Sequence, residues 1–172
     1  MTQSLDLRPG PWSLHILPRP SKSVNIAAAD YAEYAPLIIL DCGRQFDASI
    51  VARAARGRKE ITDRIDVQRA FICSEVAKLV EETHAGKRPV VILDLLSTFY
   101  DENVRMYTRK FFLESILSHL RRLSRGAGLA VIVPSPPDSF DSQYLFGRLL
   151  ASAPRVVPYK NPTTSTQQLK LF

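Results

Sequence analysis

No stretch of this sequence stays apolar for the ~18 residues that a membrane-spanning helix needs. The first ten residues, Met1–Gly10, are polar and hold no signal-peptide core. These two absences place the expected location in the cytoplasm, in association with the nucleoid. Cysteine is scarce, with only Cys42 and Cys73, and they are not spaced as a metal-ligand pair. Both sit in apolar surroundings and read as small buried hydrophobes; a structural disulfide is not expected in a reducing compartment. None of the three histidines (His15, His84 and His119) is spaced with a cysteine or a second histidine, so no zinc site is expected. No G-x-S-x-G occurs, which removes the nucleophile elbow of the α/β-hydrolases. Asp101-Glu102 invites a reading as a catalytic acid pair, and it reads better as a solvated helix N-terminus. There is no internal repeat, and the one low-complexity patch is Thr163–Thr166.

What is present fits one domain. A length of 172 residues, 45% hydrophobic and 23% charged, suits a single globular core. The net charge of +6 permits nucleic-acid contact and is equally compatible with an ordinary solvated surface. Strand-like and helix-like segments alternate, the pattern of a parallel sheet covered by helices. The expected strands are Ser13–Leu17, Leu37–Leu40, Ile65–Val67, Pro89–Leu93, Leu129–Val133 and Arg155–Tyr159. The expected helices are Ser21–Ala35, Ala48–Ala55 closed by Gly57, Ala70–Glu82, Val104–Ser124 and Phe140–Leu150. In the third of these, Phe71, Cys73, Val76, Ala77 and Val80 fall along one side. The expected organisation is a core over residues 1–160, followed by a tail or terminal strand over 161–172.

Four segments carry a family resemblance. Leu37–Asp41 with Phe46-Asp47 is an apolar strand ended by Asp. Arg64–Phe71 leads a third strand into a helix, and Val90–Asp94 is an apolar strand with an Asp at its end, continued by Leu95–Tyr100. The long helix through Arg121-Arg122-Leu123 leads to Gly128–Val133. In order and spacing these segments resemble the RecA/RadA recombinase core, over about Ser13 to Tyr159. The resemblance implies an α/β fold with a RecA-like, mostly parallel twisted sheet flanked by helices, and a C-terminal antiparallel extension.

The departures from that family shape the functional expectation. A working member has G-x-x-x-x-G-K-[ST] after the first strand, whose backbone N–H groups wrap the phosphates. Here the stretch is Leu17-Pro18-Arg19-Pro20-Ser21-Lys22-Ser23, with both glycines absent and two prolines that each remove an N–H. Lys22 and Ser23 stand where the phosphate-binding Lys and the magnesium-binding hydroxyl would be. They form either a remodelled nucleotide pocket or merely a helix start capped by Ser21, and the second reading is preferred. The family's water-orienting Glu, two residues after the strand-end Asp, has no counterpart, because Asp41 is followed by Cys42-Gly43. The polar γ-phosphate sensor after the fifth strand is replaced by Val133-Pro134-Ser135-Pro136-Pro137. Asp94 remains, but a strand-end Asp also caps a turn without any metal. A pseudo-ATPase without cofactor is therefore expected. ATP and magnesium enter only under an alternative, a divergent ATPase using Lys22, Ser23 and Asp94.

Two features bear on partners. Recombinases of the family hold single-stranded DNA on loops after the fourth and fifth strands. The first falls near Tyr100, Arg105, Tyr107, Arg109 and Lys110, where aromatic and basic side chains would suit stacking and phosphate contact. The second, Ser135–Ser142, has no Lys or Arg and carries acids. A further basic cluster is Arg53, Arg56, Arg58 and Lys59; for all of these a solvated basic face is the alternative. The last residues, Gln168-Leu169-Lys170-Leu171-Phe172, resemble the Q-L-x-L-F motif by which bacterial polymerases and repair proteins dock on the sliding clamp. In such a motif Leu and Phe fill an apolar cleft. The same residues alternate as a hairpin strand would, and both readings stand. The leading expectation is a non-hydrolysing RecA-like accessory protein in DNA repair, recombination or translesion synthesis. It would bind a RecA-like recombinase, a DNA polymerase or the sliding clamp, with single-stranded DNA as a further contact. A dimer or heteromer is expected rather than a filament. A purely structural subunit is the remaining alternative.

Overall fold

The computed structural model of the protein describes residues 5, 7–18 and 22–158. Among the described residues six strands form one sheet: β1 (Ser13–Ile16), β2 (Leu37–Asp41), β3 (Ile65–Arg69), β4 (Val90–Leu93), β5 (Leu129–Val133) and β6 (Arg155–Pro158). Their order is β3-β2-β4-β5-β1-β6, and every pair is parallel. The helices are α1 (Lys22–Ala32), α2 (Ala48–Ala54), α3 (Lys59–Thr62), α4 (Cys73–Glu82), α5 (Met106–Leu123) and α6 (Phe140–Ser152), with a 3-10 turn at Ser97–Tyr100. The expected antiparallel extension falls on residues that lie outside the described ones.

Chain direction explains the two helical layers. From β1 to β2 and from β2 to β3 the chain moves one way across the sheet; from β3 to β4 to β5 to β6 it moves the other way. Right-handed crossovers then put α1–α3 on one face and α4–α6 on the opposite face. The cores follow suit. Leu37, Ile39, Val91, Leu93, Ala130 and Ile132 pack with Val24, Ala28 and Ala32 of α1, while Ile38, Leu40, Val90, Ile92, Val131 and Val133 pack with α4–α6. Successive strand residues thus serve opposite cores, which is why the central strands read as unbroken apolar runs. The edge strands β3 and β6 are half-buried or exposed along their length.

Two local departures from the expected elements have clear causes. The helix expected from Ala70 begins at Cys73. Ala70 N–H still donates to Asp41 O at 3.3 Å, prolonging the β2–β3 ladder, and Ile72 is extended at φ −136°. Phe71, expected on the apolar side of that helix, is exposed instead, as is Ile72. Glu75 accepts from Phe71 N–H at 2.9 Å and satisfies a donor ahead of the first turn. The second departure is α3, a single turn between Gly57 and β3 that is too short to show periodicity. At its other end α4 is tied to α5 by Arg122, which donates to the carbonyls of Thr83, Val80 and Glu81 at 2.8–3.0 Å. A cation there complements the negative helix terminus. No described helix is long and apolar enough to cross a membrane.

Candidate functional site

In open α/β sheets the ligand crevice lies beyond the carboxyl ends of the strands, where the connections diverge. Here that crevice is bounded by Leu17 and Pro18 after β1, Val24 of α1, Gln45 after β2, Leu93 and Asp94 of β4, and Ile132, Val133 and Pro134 of β5. It is the place where the family resemblance would put a nucleotide.

Two strand-end aspartates organise it. Asp41 is buried and accepts three donors: Gln45 N–H at 2.8 Å, Phe46 N–H at 3.2 Å and Arg69 Nε at 3.2 Å. It therefore folds the 42–47 loop back over the strand end. Asn25 braces the same loop from α1, donating to Gln45 O at 3.0 Å and accepting from Asp47 N–H at 2.9 Å. Asp47 then caps α2 through Ser49 and Ile50 N–H. Its carboxyl is held below the usual carboxylate range, chiefly by the Ser49 side-chain hydrogen bond and then by the two backbone donors. Arg44 adopts φ +57° within the loop, and its guanidinium lies 5.3 Å from the centre of the exposed Phe71 ring.

Asp94 is buried and sits at φ +54°, a left-handed conformation that Asp tolerates better than most side chains. Its carboxylate presses onto Gly43: a Cβ there would stand 2.2 Å from Asp94 Oδ2. Gln45 Nε2 donates to Gly43 O at 3.0 Å and to Asp94 Oδ2 at 3.4 Å. The Gln45 carboxamide thus lies against the acid from the crevice side. Cys42, between the two aspartates, is buried, and burial, with Asp41 and Asp94 adding to it, pushes its thiol far above the ordinary range. The room left in the crevice for the centre of a water-sized sphere is about 20 Å³, little more than one water requires. Two larger grooves lie at the opposite, amino ends of the strands. One, of about 630 Å³, is bounded by Leu7, Arg8, Tyr31 and Lys87; the other, of about 200 Å³, by Gln68, Thr83, His84 and Arg88. Neither touches the nucleotide-site, DNA-contact or clamp-motif candidates.

The fold brings Lys22, Ser23 and Asp94 to one end of the sheet. Lys22 is exposed and Ser23 half-buried in the first turn of α1. Gln45 is the member of the site that sequence reasoning missed. It lies two residues beyond the positions checked for the family's carboxylate, and only the loop closure on Asp41 carries it back to Asp94. Among the described residues no cluster of three or more His, Cys, Asp or Glu is arranged to hold a metal ion.

The DNA-contact candidates divide. Arg109 is 3% exposed, and its guanidinium donates to Phe99 O at 3.2 Å and to Asp141 at 2.8 Å. It joins the 3-10 turn, α5 and α6 and is not offered to solvent, which corrects its assignment to a DNA surface. A residue at helix spacing from the core positions Leu113 and Ile116 is drawn inward. Tyr100 is half-buried against the α4–α6 core. Arg105, Tyr107 and Lys110 are exposed, and Lys110 Nζ sits 4.2 Å above the Tyr144 ring. Phe111 and Phe140, absent from the sequence-derived set, are exposed on the same end of α5 and α6. In the other basic cluster, Arg58 pairs with Glu33 and Arg53 bonds back to Ser49 O. The clamp-motif candidates Gln168, Leu169, Leu171 and Phe172 lie outside the described residues.

Strand order, the two helical layers and the acid-ended β2 and β4 define a RecA-like α/β domain. Among solved structures the chain is similar to the RadB recombinase. The TM-score is 0.58 and the identity 15%, over 88% of this chain and 75% of that one. At this identity the likeness establishes the fold. No family model and no curated protein matches the sequence.

Proposed function

We propose that this chain is a non-hydrolysing, RecA-like accessory protein in DNA recombination or repair that acts by binding partner proteins. The observation that carries the reading is the packing on Asp94: Gly43 and the Gln45 carboxamide lie against its carboxylate. Asp94 engaged by Gln45, with no carboxylate in the 42–46 loop, does not fit a magnesium triphosphate and its attacking water. The similarity to a RadB recombinase supports a place in recombination; the partner in this reading is a recombinase, a polymerase or the sliding clamp. Gln168–Phe172 would supply the clamp contact. Direct single-stranded DNA contact is secondary. With Arg109 buried, the cations of the first-loop region are Arg105 and Lys110, set among Asp101, Glu102 and Asp138.

Calorimetry with ATP and magnesium, with turnover measured in the same samples with and without single-stranded DNA, tests the reading. Neither binding nor turnover is expected. The divergent-ATPase reading rests on Lys22 standing exposed in the first turn of α1. Magnesium-dependent binding that Lys22→Ala abolishes would establish that alternative and overturn ours.

A further inference from the structure

The amino-terminal turns of α5 and α6 form an aromatic surface that the crevice does not use. On α5, Tyr107 and Phe111 are one turn apart, as are Phe140 and Tyr144 on α6, so each pair shares a helix face. Two contacts knit the helices together along this surface: Lys110 over the Tyr144 ring at 4.2 Å, and Arg148 to Glu114 at 2.7 Å. The four rings are 68%, 69%, 84% and 39% exposed. At about 200 Å² per aromatic side chain they present roughly 500 Å² of accessible surface. That is near the upper end for the largest patch on a typical monomer. It is also more than half of the ~800 Å² per partner that a standard interface buries.

Charge decides what covers it. Glu114 and Asp141 are neutralised internally by Arg148 and Arg109. What remains around the rings is mixed: Arg105 and Lys110 are cationic, while Asp101 and Glu102 before α5 and Asp138 before α6 are acidic and exposed. A nucleic-acid groove needs one sign of charge. A rim carrying both signs admits a two-fold arrangement in which Arg105 beside α5 of one copy meets the acids of the other, Asp138 before α6 among them. Two-fold symmetric pairs are by far the commonest assemblies and use the same patch on both subunits. We propose that this aromatic face is the interface of a homodimer, with the Tyr107–Phe111 and Phe140–Tyr144 pairs buried at its centre and Arg105 facing the partner copy's acids.

Sedimentation and light scattering on the full chain at tens of micromolar test this. The expected mass is twice the 19.3 kDa of one chain. The double variant Phe111→Glu, Phe140→Glu should run at the single-chain mass with unchanged circular dichroism and melting, since both rings are already solvent-exposed. Arg105→Glu should weaken the dimer about tenfold, and adding Glu102→Arg should restore it. A monomeric wild type, or a dimer that persists in the double variant, overturns the proposal. So does a monomer that binds oligo(dT) in a salt-dependent way lost in the double variant; that result would assign the face to nucleic acid.

Discussion

Replacing Arg109 separates a structural cation from a nucleic-acid contact. Its guanidinium is 3% exposed and makes two hydrogen bonds, to Phe99 O and to Asp141, whose side chain is 39% exposed. Arg109→Met keeps most of the aliphatic stem, so little cavity is left. The losses are a charge-assisted bond to Asp141, a bond to a buried carbonyl, and the link between α5, α6 and the 3-10 turn. Buried ion pairs broken from one side lose ~3–5 kcal/mol. Here the stranded partner, Asp141, is exposed enough to be rehydrated, so the loss falls to about 2–3 kcal/mol. With a urea slope of about 2 kcal/mol per molar, the midpoint drops by about 1–1.5 M, or roughly 5–10 °C in Tm. Asp141→Ala should lose more, about 3–5 kcal/mol, because it leaves a buried cation that cannot move to water. The double variant should lose less than the sum, by about 1–2 kcal/mol. Urea melts of the four proteins give these numbers. A midpoint within about 0.3 M of wild type for Arg109→Met, together with a large loss of oligo(dT) binding, would refute the argument and return Arg109 to the DNA-contact set.

Two further outcomes follow from the crevice. Gly43→Ala places a methyl group 2.2 Å from Asp94 Oδ2 and 2.5 Å from its Cβ, so the whole acid must shift; thermal melts should show a loss of about 1–3 kcal/mol, and an unchanged melt would mean that Asp94 is not held as described. The raised Cys42 thiol gives an alkaline limb. The folded chain keeps a proton that the unfolded chain releases above its ordinary value of 9.0, so this contribution is intact below that pH and is lost as pH rises beyond it. Urea midpoints should fall above pH 9.0, and Cys42→Ala should flatten part of the slope; a slope unaffected by the substitution would place its origin elsewhere.

The parallel sheet was legible because a strand buried on both faces must be apolar throughout, and Leu37–Leu40, Val90–Leu93 and Leu129–Val133 are. Glycines and prolines marked most element ends. The start of α4 was misplaced because Ala70–Ile72 has helical composition, while the ladder bond from Ala70 to Asp41 holds it extended. That Leu17–Ser23 holds no glycine, and that no carboxylate stands between Asp41 and Asp47, needed no coordinates, since each is a statement about residue types at fixed spacing.

By itself, then, the sequence determined the α/β class and the order of the elements. Both depend on local pattern. Only the tertiary structure decided which side chains meet. Asp41 folds Gln45 onto Asp94, the packing of α6 draws Arg109 out of reach of any ligand, and the pairing of α5 with α6 gathers four rings onto one surface. Spacing along the chain carries no record of these contacts, because each joins segments brought together only when the sheet closes its two cores.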